Sequence, residues 1–525
     1  MISLQTLAPD GHFMYRTTSD KQLAFEEFYL PFGGKLSRDN RWARLAAMIP
    51  WETVESFYAE QFASEGPGAP AKSARLAFGA LIIKERLGTS DEETVEQIRE
   101  NPYLQAFLGF HEFRDQVPFD PSLFVYFRKR FSLDQLGQIN EAIVAAEQAA
   151  RPVDETDSAA DDDSDDPPGA GGNQGKLVVD ATCTPADIRY PTDLSLLNEA
   201  REKSEAIIDT LFVPLKGARP KPRTYRQKAR RQFLAHSKAR KRSARQRRKA
   251  VGQQLRYLSR NLKTIDSLAD AVPLTLLSRA QYRHLLIIRE LYRQQQWMYT
   301  QRCQRIPGRI VSLSQPHVRP IVRGKASAPT EFGAKLSASL VDGMVFLDHL
   351  DWDPFHEGDD LKAQIEAYKQ RFGHYPESVH ADAIYRTREN RRFCKQAGIR
   401  LSGPPLGRPP RQTPDNAQAL RERQQQHRQD ELDRIPIEGK FGQSKRRFSL
   451  SRVMAKLSRT SETVIAITFI VMNLERWLKQ LLFGLFIACY TLHRAALTAL
   501  YGRFKELLAF HNRLSASQRL TYALS

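Results

Sequence analysis

From Lys216 to Lys263 the chain carries 19 Lys or Arg and no Asp or Glu. Charge of one sign at that density must stay solvated or meet a polyanion, and the segment reads as long basic helices rather than as core. The whole chain has 79 Lys and Arg against 60 Asp and Glu, a net charge of +19, so this one stretch accounts for the entire surplus. A basic block of this kind points to nucleic acid as the partner. The opposite bias appears at Asp154 to Asp166, where eight acids lie among Ser, Ala and Thr.

Length and composition bound the fold. With 525 residues, 41% apolar and 26% charged, the chain is neither a disordered polymer nor a membrane transporter, and it is long enough for two or three folded units. Its four cysteines, Cys183, Cys303, Cys394 and Cys489, form no CxxC pair. A zinc knuckle is therefore not expected, and a reduced, cytoplasmic and nucleoid-associated chain is. The opening MISLQTLAPDG lacks the basic and apolar regions of a signal peptide. The apolar tracts Val464 to Met472 and Leu481 to Tyr490 are each too short to span a bilayer and read as buried helices.

Residues 1–150 read as an all-α, DNA-binding N-terminal domain. Ser73 to Gly88 has helical spacing and a Gly stop, and Thr89 or Ser90 caps a helix with acids in its first turn that ends before Pro102. Residues 151–175 are a disordered acidic linker, too poor in large apolar side chains to offset ordering entropy. Strand character begins at KLVVD (176–180), gives way to helices over about 195–305, and resumes at GRIVSL, HVRPIVRG and FGAKLSASLVDGMVFLDHL. A helix at 359–372, a short strand at SVHAD (378–382), a helix at 388–398, a strand from Leu401 and a charged helix at 417–433 follow. The expectation is an α/β core over 176–480 with a large basic helical insertion, and a helical tail over 481–525.

Three acids stand out. Asp180 and Asp382 end apolar strands, and Glu438 lies in RIPIEGKFGQSKRR. Strand ends in an α/β sheet gather ligand groups, and converging carboxylates repel unless cations neutralise them. Spacing alone does not select Asp180 over Asp187, Asp193, Asp342 or Asp348. The group His349, Asp351, Asp353 and His356 reads as loop and capping chemistry rather than as a metal site. Tyr225, Phe233 and Tyr257 in the basic block fit core packing better than base stacking.

Four segments carry a family resemblance. VVDATCTPADIRYPTDLSLLNEAREKSE, SVHADAIYRTRENRRFCKQAGI and RIPIEGKFGQSKRRFSLSRVMAKLSRTSETVIAITFIVMNL resemble the first-Asp, second-Asp and final-Glu segments of the DDE transposases of bacterial insertion sequences, in the large fourth-and-fifth insertion-sequence superfamily. EETVEQIRENPYLQAFLGFHEFRDQVPFDPSLFVYFRKRF resembles the helical domain that precedes their catalytic core. The matches run in order from about residue 90 to 475.

The resemblance implies a ribonuclease H-like core interrupted by a helical insertion. It implies Asp180, Asp382 and Glu438 as catalytic residues holding two Mg²⁺ or Mn²⁺ ions. It further implies DNA strand cleavage and strand transfer at terminal inverted repeats, on target DNA, by at least a homodimer in the active complex, with no membrane and no small-molecule cofactor. Arg434 and Lys445 match the superfamily's spacing around the last acid, whereas its Tyr position is Glu431 here. Phosphate contacts are expected from Arg434, Lys440, Lys445, Arg446 and Arg447, and from Lys241, Arg242, Arg245, Arg247, Arg248 and Lys249. The alternatives are a catalytically retired, DNA-binding derivative, against which the presence of all three acids argues, and an RNA-processing nuclease of the same fold.

Overall fold

In the computed structural model, residues 15, 25–62, 70–151, 172–241, 243–322, 330–404, 407, 413 and 416–523 are described. Most of the linker expected at 151–175 lies outside them. The first half is helical: α1 (Arg41–Met48), α2 (Trp51–Ala59), α3 (Ala74–Leu87), α4 (Asp91–Glu100), α5 (Pro102–Phe107), α6 (Leu123–Lys129) and α7 (Leu133–Ala149). The caps follow the sequence. Ser73 accepts from Leu76 N–H, Gly88 closes α3 at φ 69°, and Ser90 accepts from Glu93 N–H.

Strand β1 (Lys176–Pro185) opens the sheet. Helices α8 (Asp193–Phe212), α9 (Arg226–Lys238), α10 (Ala244–Ala269) and α11 (Arg279–Gln301) then intervene before β2 (Arg319–Val322), β3 (Thr330–Val341) and β4 (Met344–Asp351). Next come α12 (Leu361–Phe372), β5 (Ser378–His380), α13 (Arg388–Gln396), β6 (Arg400–Leu401), α14 (Ala417–Arg447) and α15 (Ser458–Ala523). Asp342 and Gly343, at φ 48° and 78°, make the tight turn between β3 and β4. In the six-stranded sheet β3 pairs antiparallel with β1 on one side and with β2 and β4 on the other, and β1 continues through parallel β5 to β6. The fold is a mixed α/β architecture of mostly helical content.

Buried apolar side chains fall into two clusters. One is continuous from the N-terminal helices (Phe78, Ile83, Phe124) through the sheet (Val179, Leu336, Val379) to the first turns of α15 (Ile465, Ile470, Leu474). The other belongs to the insertion alone, where α8, α10 and α11 contribute Leu197, Ile208, Leu258, Ile265, Ile288 and Leu291. Polar clasps bind α15 to its neighbours. Asn473 Oδ1 accepts from Val345 N–H at 2.8 Å, while its Nδ2 donates to Val345 O at 2.8 Å and to Asn140 Oδ1 at 2.9 Å.

Several expectations need correction. Asp180 does not end its strand: β1 runs on to Pro185, because β3 pairs with it along that whole length. GRIVSL is not a strand. Ile310 and Leu313 instead bury their side chains against the insertion, and Val311 against the main core. The charged helix does not stop at Asp433 but passes through Pro436 to Arg447. The tract from Leu481 to Tyr490 is not buried. Helix α15 continues past the body of the protein, leaving Phe483 64%, Phe486 67% and Tyr490 59% exposed. Tyr225 lies 43% exposed beneath the Arg260 guanidinium rather than in the core, and Phe233 and Tyr257 are only half-buried. Among the described residues no helix is long and apolar enough to cross a membrane.

Candidate active site

Asp180 occupies a position set by unequal strand lengths. Strand β5 pairs with β1 only over Lys176–Val178, so Asp180 lies just beyond the point where β1 loses its parallel neighbour, with Ala338 of β3 opposite it on the other side. Its Oδ1 accepts from the Ala181 N–H at 2.8 Å. Burial pushes its carboxyl up to about 6; that N–H bond and Arg434 pull against the rise, while Glu357 and Glu438 add to it.

Asp382 follows β5 by two residues and caps the 3₁₀ turn Ala383–Tyr385, accepting from Ala383 N–H at 2.7 Å. Glu438 projects from α14, one turn after Arg434. Arg434 Nη1 stands 3.7 Å from Asp382 Oδ1, and its Nη2 stands 3.5 Å from Glu438 Oε1. One guanidinium therefore joins the second and third acids and bears electrostatically on the first. Lys445 reaches the same place, donating to Thr182 Oγ1 at 3.0 Å. Thr182 lies two residues after Asp180 and so on the same face of β1.

The sequence did not single out what fixes α14 here. Lys176 pairs with Asp433 at 2.8 Å, and Arg400 pairs with Asp430 at 2.9 Å. Buried His380 faces the same two carboxylates of α14, 3.6 Å from Asp430 Oδ1 and 3.8 Å from Asp433 Oδ2. The signal was present as periodicity: Asp430, Arg434, Glu438 and Lys445 repeat at helical spacing along one face of α14. Glu431, at the superfamily's Tyr position, faces His427 at 3.6 Å.

The donor set is all oxygen, which suits a hard divalent cation. Among the described residues no group of three His, Cys, Asp or Glu is gathered closely enough to hold a metal ion in this arrangement. Arg434 brings positive charge between two of these acids. His349, Asp353 and His356 pair with Asp360, Arg319 and Asp359, and Asp351 accepts from the Asp353 N–H; His349 and Asp351 lie on β4 rather than in a loop.

The expected phosphate contacts divide by environment. Lys241, Arg245, Arg247 and Lys249 are exposed before and along the start of α10, and Arg242 lies outside the described residues. Arg248 is tied to α11, donating to Tyr299 O at 2.8 Å with its guanidinium 4.0 Å from that ring's centre. Arg446 is exposed. Arg447 pairs with buried Glu475 at 3.0 Å. Lys440 is half-buried, and burial, with Arg476 and Lys479 nearby, pushes its ammonium down to about 8.

Desolvation of Asp180 has a consequence for stability. A carboxyl whose folded value lies above its unfolded value contributes stability that is complete below the unfolded value and is lost as pH rises through about 6. Asp180→Asn is therefore expected to stabilise the chelator-treated protein at pH 8, with the gain shrinking below pH 6 and absent near pH 4. Thermal melts across that range check it. A variant no more stable than wild type at pH 8 would mean that Asp180 is not desolvated.

Comparison with known proteins agrees with the layout. Residues 379–475, which hold Asp382, Arg434, Glu438 and Lys445, match the family "Transposase DDE domain". Residues 31–130, spanning α1 to α6, match "Transposase domain (DUF772)". A relative from Rhizobium meliloti, named "Uncharacterized protein ORF8 in nfe locus", is 32% identical over 160 residues, covering 30% of this chain and 67% of the relative. No solved structure matches the chain. The chain belongs to the insertion-sequence DDE transposases.

Proposed function

We propose that this transposase binds the ends of its insertion sequence, cleaves DNA there with the help of divalent ions, and joins the freed end to target DNA. The observation that carries the reading is the bridging position of Arg434 between Asp382 and Glu438, within electrostatic reach of Asp180. Residues distant in sequence converge on one end of the sheet. A mixed sheet with three antiparallel strands followed by two parallel ones supports assigning the core to the ribonuclease H-like class.

Asp180, Asp382 and Glu438 are the residues that would hold Mg²⁺ or Mn²⁺, and the ions would supply Lewis acidity for attack on a phosphodiester. The protein's own part is positional. The Ala181 and Ala383 N–H groups orient Asp180 and Asp382. Thr182 holds Lys445 as a point charge beside Asp180, where a phosphate oxygen would lie. Arg434 offsets carboxylate repulsion and is a second phosphate donor. Hydrolysis at the element's end frees a 3′-hydroxyl, and that hydroxyl attacks target DNA. Neither step needs a covalent protein–DNA intermediate. Pairing of two ends calls for at least a dimer. A retired, DNA-binding-only protein is not favoured, since all three acids are present at the matched positions.

Two measurements test the reading. Purified protein should nick DNA carrying its own element's ends only with Mg²⁺ or Mn²⁺, and a failure of both metals to support nicking would refute it. Binding should be steeply salt-dependent. Neutralising four of the exposed cations Lys241, Arg245, Arg247 and Lys249 is expected to lower the slope of log affinity against log salt by about 0.9 for each lost phosphate contact. An unchanged slope would remove the basic insertion from the interface.

A further inference from the structure

We propose that the distal half of α15 is a homodimerisation helix, pairing along its apolar stripe with the same stripe of a second copy of this chain. The inference supplies the pairing that the reading above calls for. Its test needs neither DNA nor metal, so either can fail alone.

Burial along α15 stops abruptly while the helix does not. Trp477 and Leu478 are 8% and 3% exposed, and every described side chain over 479–501 is exposed. Residues 480–501 add about 33 Å of helix beyond the body. Their composition is not that of a helix kept in water. The mostly exposed first turns of α14, AQALRERQQQHRQ, are rich in charge and Gln, whereas 480–493 holds no Asp, Glu, Lys or Arg. A helix that apolar is ordinarily covered.

The spacing of the exposed apolar side chains points to the cover. Phe483, Tyr490 and Leu497 recur every seven residues, and Phe486 and Leu500 follow the first and last of them by three. That 3-4 repeat is the seam of two supercoiled helices, in which each side chain enters a gap in the partner. His493 takes the remaining place in the repeat. One polar residue in a seam sets register at a cost in stability.

The area also suits a second copy. Leu497, Leu500 and Tyr501 are 53%, 64% and 61% exposed, much like Phe483, Phe486 and Tyr490 before them. At roughly 100 Å² for each ring and somewhat less for each aliphatic side chain, two copies would remove on the order of 1,200 Å² from water. That reaches the size of a specific, stable interface. A lipid bilayer is a poorer match, because the uncharged run over 480–493 is about 21 Å long as a helix against a hydrocarbon core of roughly 30 Å.

The test is the mass of the full-length, DNA-free protein by sedimentation equilibrium at micromolar concentration in reducing buffer, with thermal melts to verify folding of the body. Wild type is expected at twice its 60.0 kDa chain mass. Phe483→Glu, Tyr490→Glu and Leu497→Glu combined should sediment as a monomer, with the dissociation constant raised by about a hundredfold or more, because like charges then meet in the seam. None of the three is buried against the body, so the variant should fold. Tyr490→Ala alone should weaken the dimer by about tenfold. Thr498→Glu, exposed and off the repeat, should remain a dimer. A wild-type monomer, a dimer that survives the triple substitution, or a Thr498→Glu monomer overturns the inference. So does flotation of wild type with phosphatidylcholine–phosphatidylglycerol vesicles that the triple variant loses, which would assign the stripe to a lipid surface.

Discussion

Asp180→Asn is expected to abolish metal-dependent nicking and strand transfer while leaving binding to the element's ends within a fewfold of wild type. The substitution keeps volume and the contact with Ala181 N–H but removes the charge. A divalent ion acting as a Lewis acid is worth several kcal/mol of transition-state stabilisation. At about 1.4 kcal/mol per decade, losing its ligand should slow cleavage by about a thousandfold or more. Glu438→Gln should do the same, because its carboxylate faces the same Arg434 guanidinium as Asp382. Effects within one constellation are not additive, so the double variant should be scarcely slower than either single one. Cleavage at a tenth of the wild-type rate in either variant would reject the site assignment. End binding, measured in parallel at fixed salt, separates lost chemistry from lost recognition.

The second large effect is structural. Glu475 on α15 is buried and receives Arg86 of α3 at 2.5 Å and Arg447 of α14 at 3.0 Å. Burial opposes its charged form, but Arg86 and Arg447 outweigh that and hold its carboxyl below the usual range. Glu475→Gln leaves the Arg86 guanidinium buried without a counter-charge, and breaking such a pair costs about 3–5 kcal/mol. The Glu475→Gln unfolding midpoint in urea should fall accordingly at pH 7. The deficit should narrow in acid, because stability from a depressed carboxyl is lost as pH falls. Replacing both partners, Arg86→Met with Glu475→Leu, should recover much of the loss, since neither charge is then stranded. A cost below about 1 kcal/mol for Glu475→Gln would show that the pair is solvated and that α15 is not fastened there.

Much of the candidate site was readable from residue order. The three acids lie in segments that resemble the family's, and the spacing of Arg434 and Lys445 around Glu438 matched as well. What spacing left open was which Asp near a strand to single out as a candidate. Asp342 proved to be a turn residue and Asp348 a buried partner of Arg371, whereas Asp180 sits where β5 stops short of β1. That distinction depends on the length of a neighbouring strand, which is not encoded near Asp180 itself. The charged helix was expected to end at Asp433, but α14 runs on through Pro436 to Arg447. The apolar tract after Leu481 suggested burial, but apolarity cannot tell whether a partner surface lies alongside.

The sequence by itself determined the helical caps, the β3–β4 turn, the segregation of charge into an insertion and the acids worth testing. Each of these follows from short-range sterics, hydrogen bonding or composition. Only the tertiary structure decided that the N-terminal helices and the sheet share one continuous core through α15. It alone decided that Arg434 stands between two acids, and that Lys445 of α14 reaches Thr182 of β1. Those are contacts between segments far apart along the chain, fixed by packing that no local pattern records.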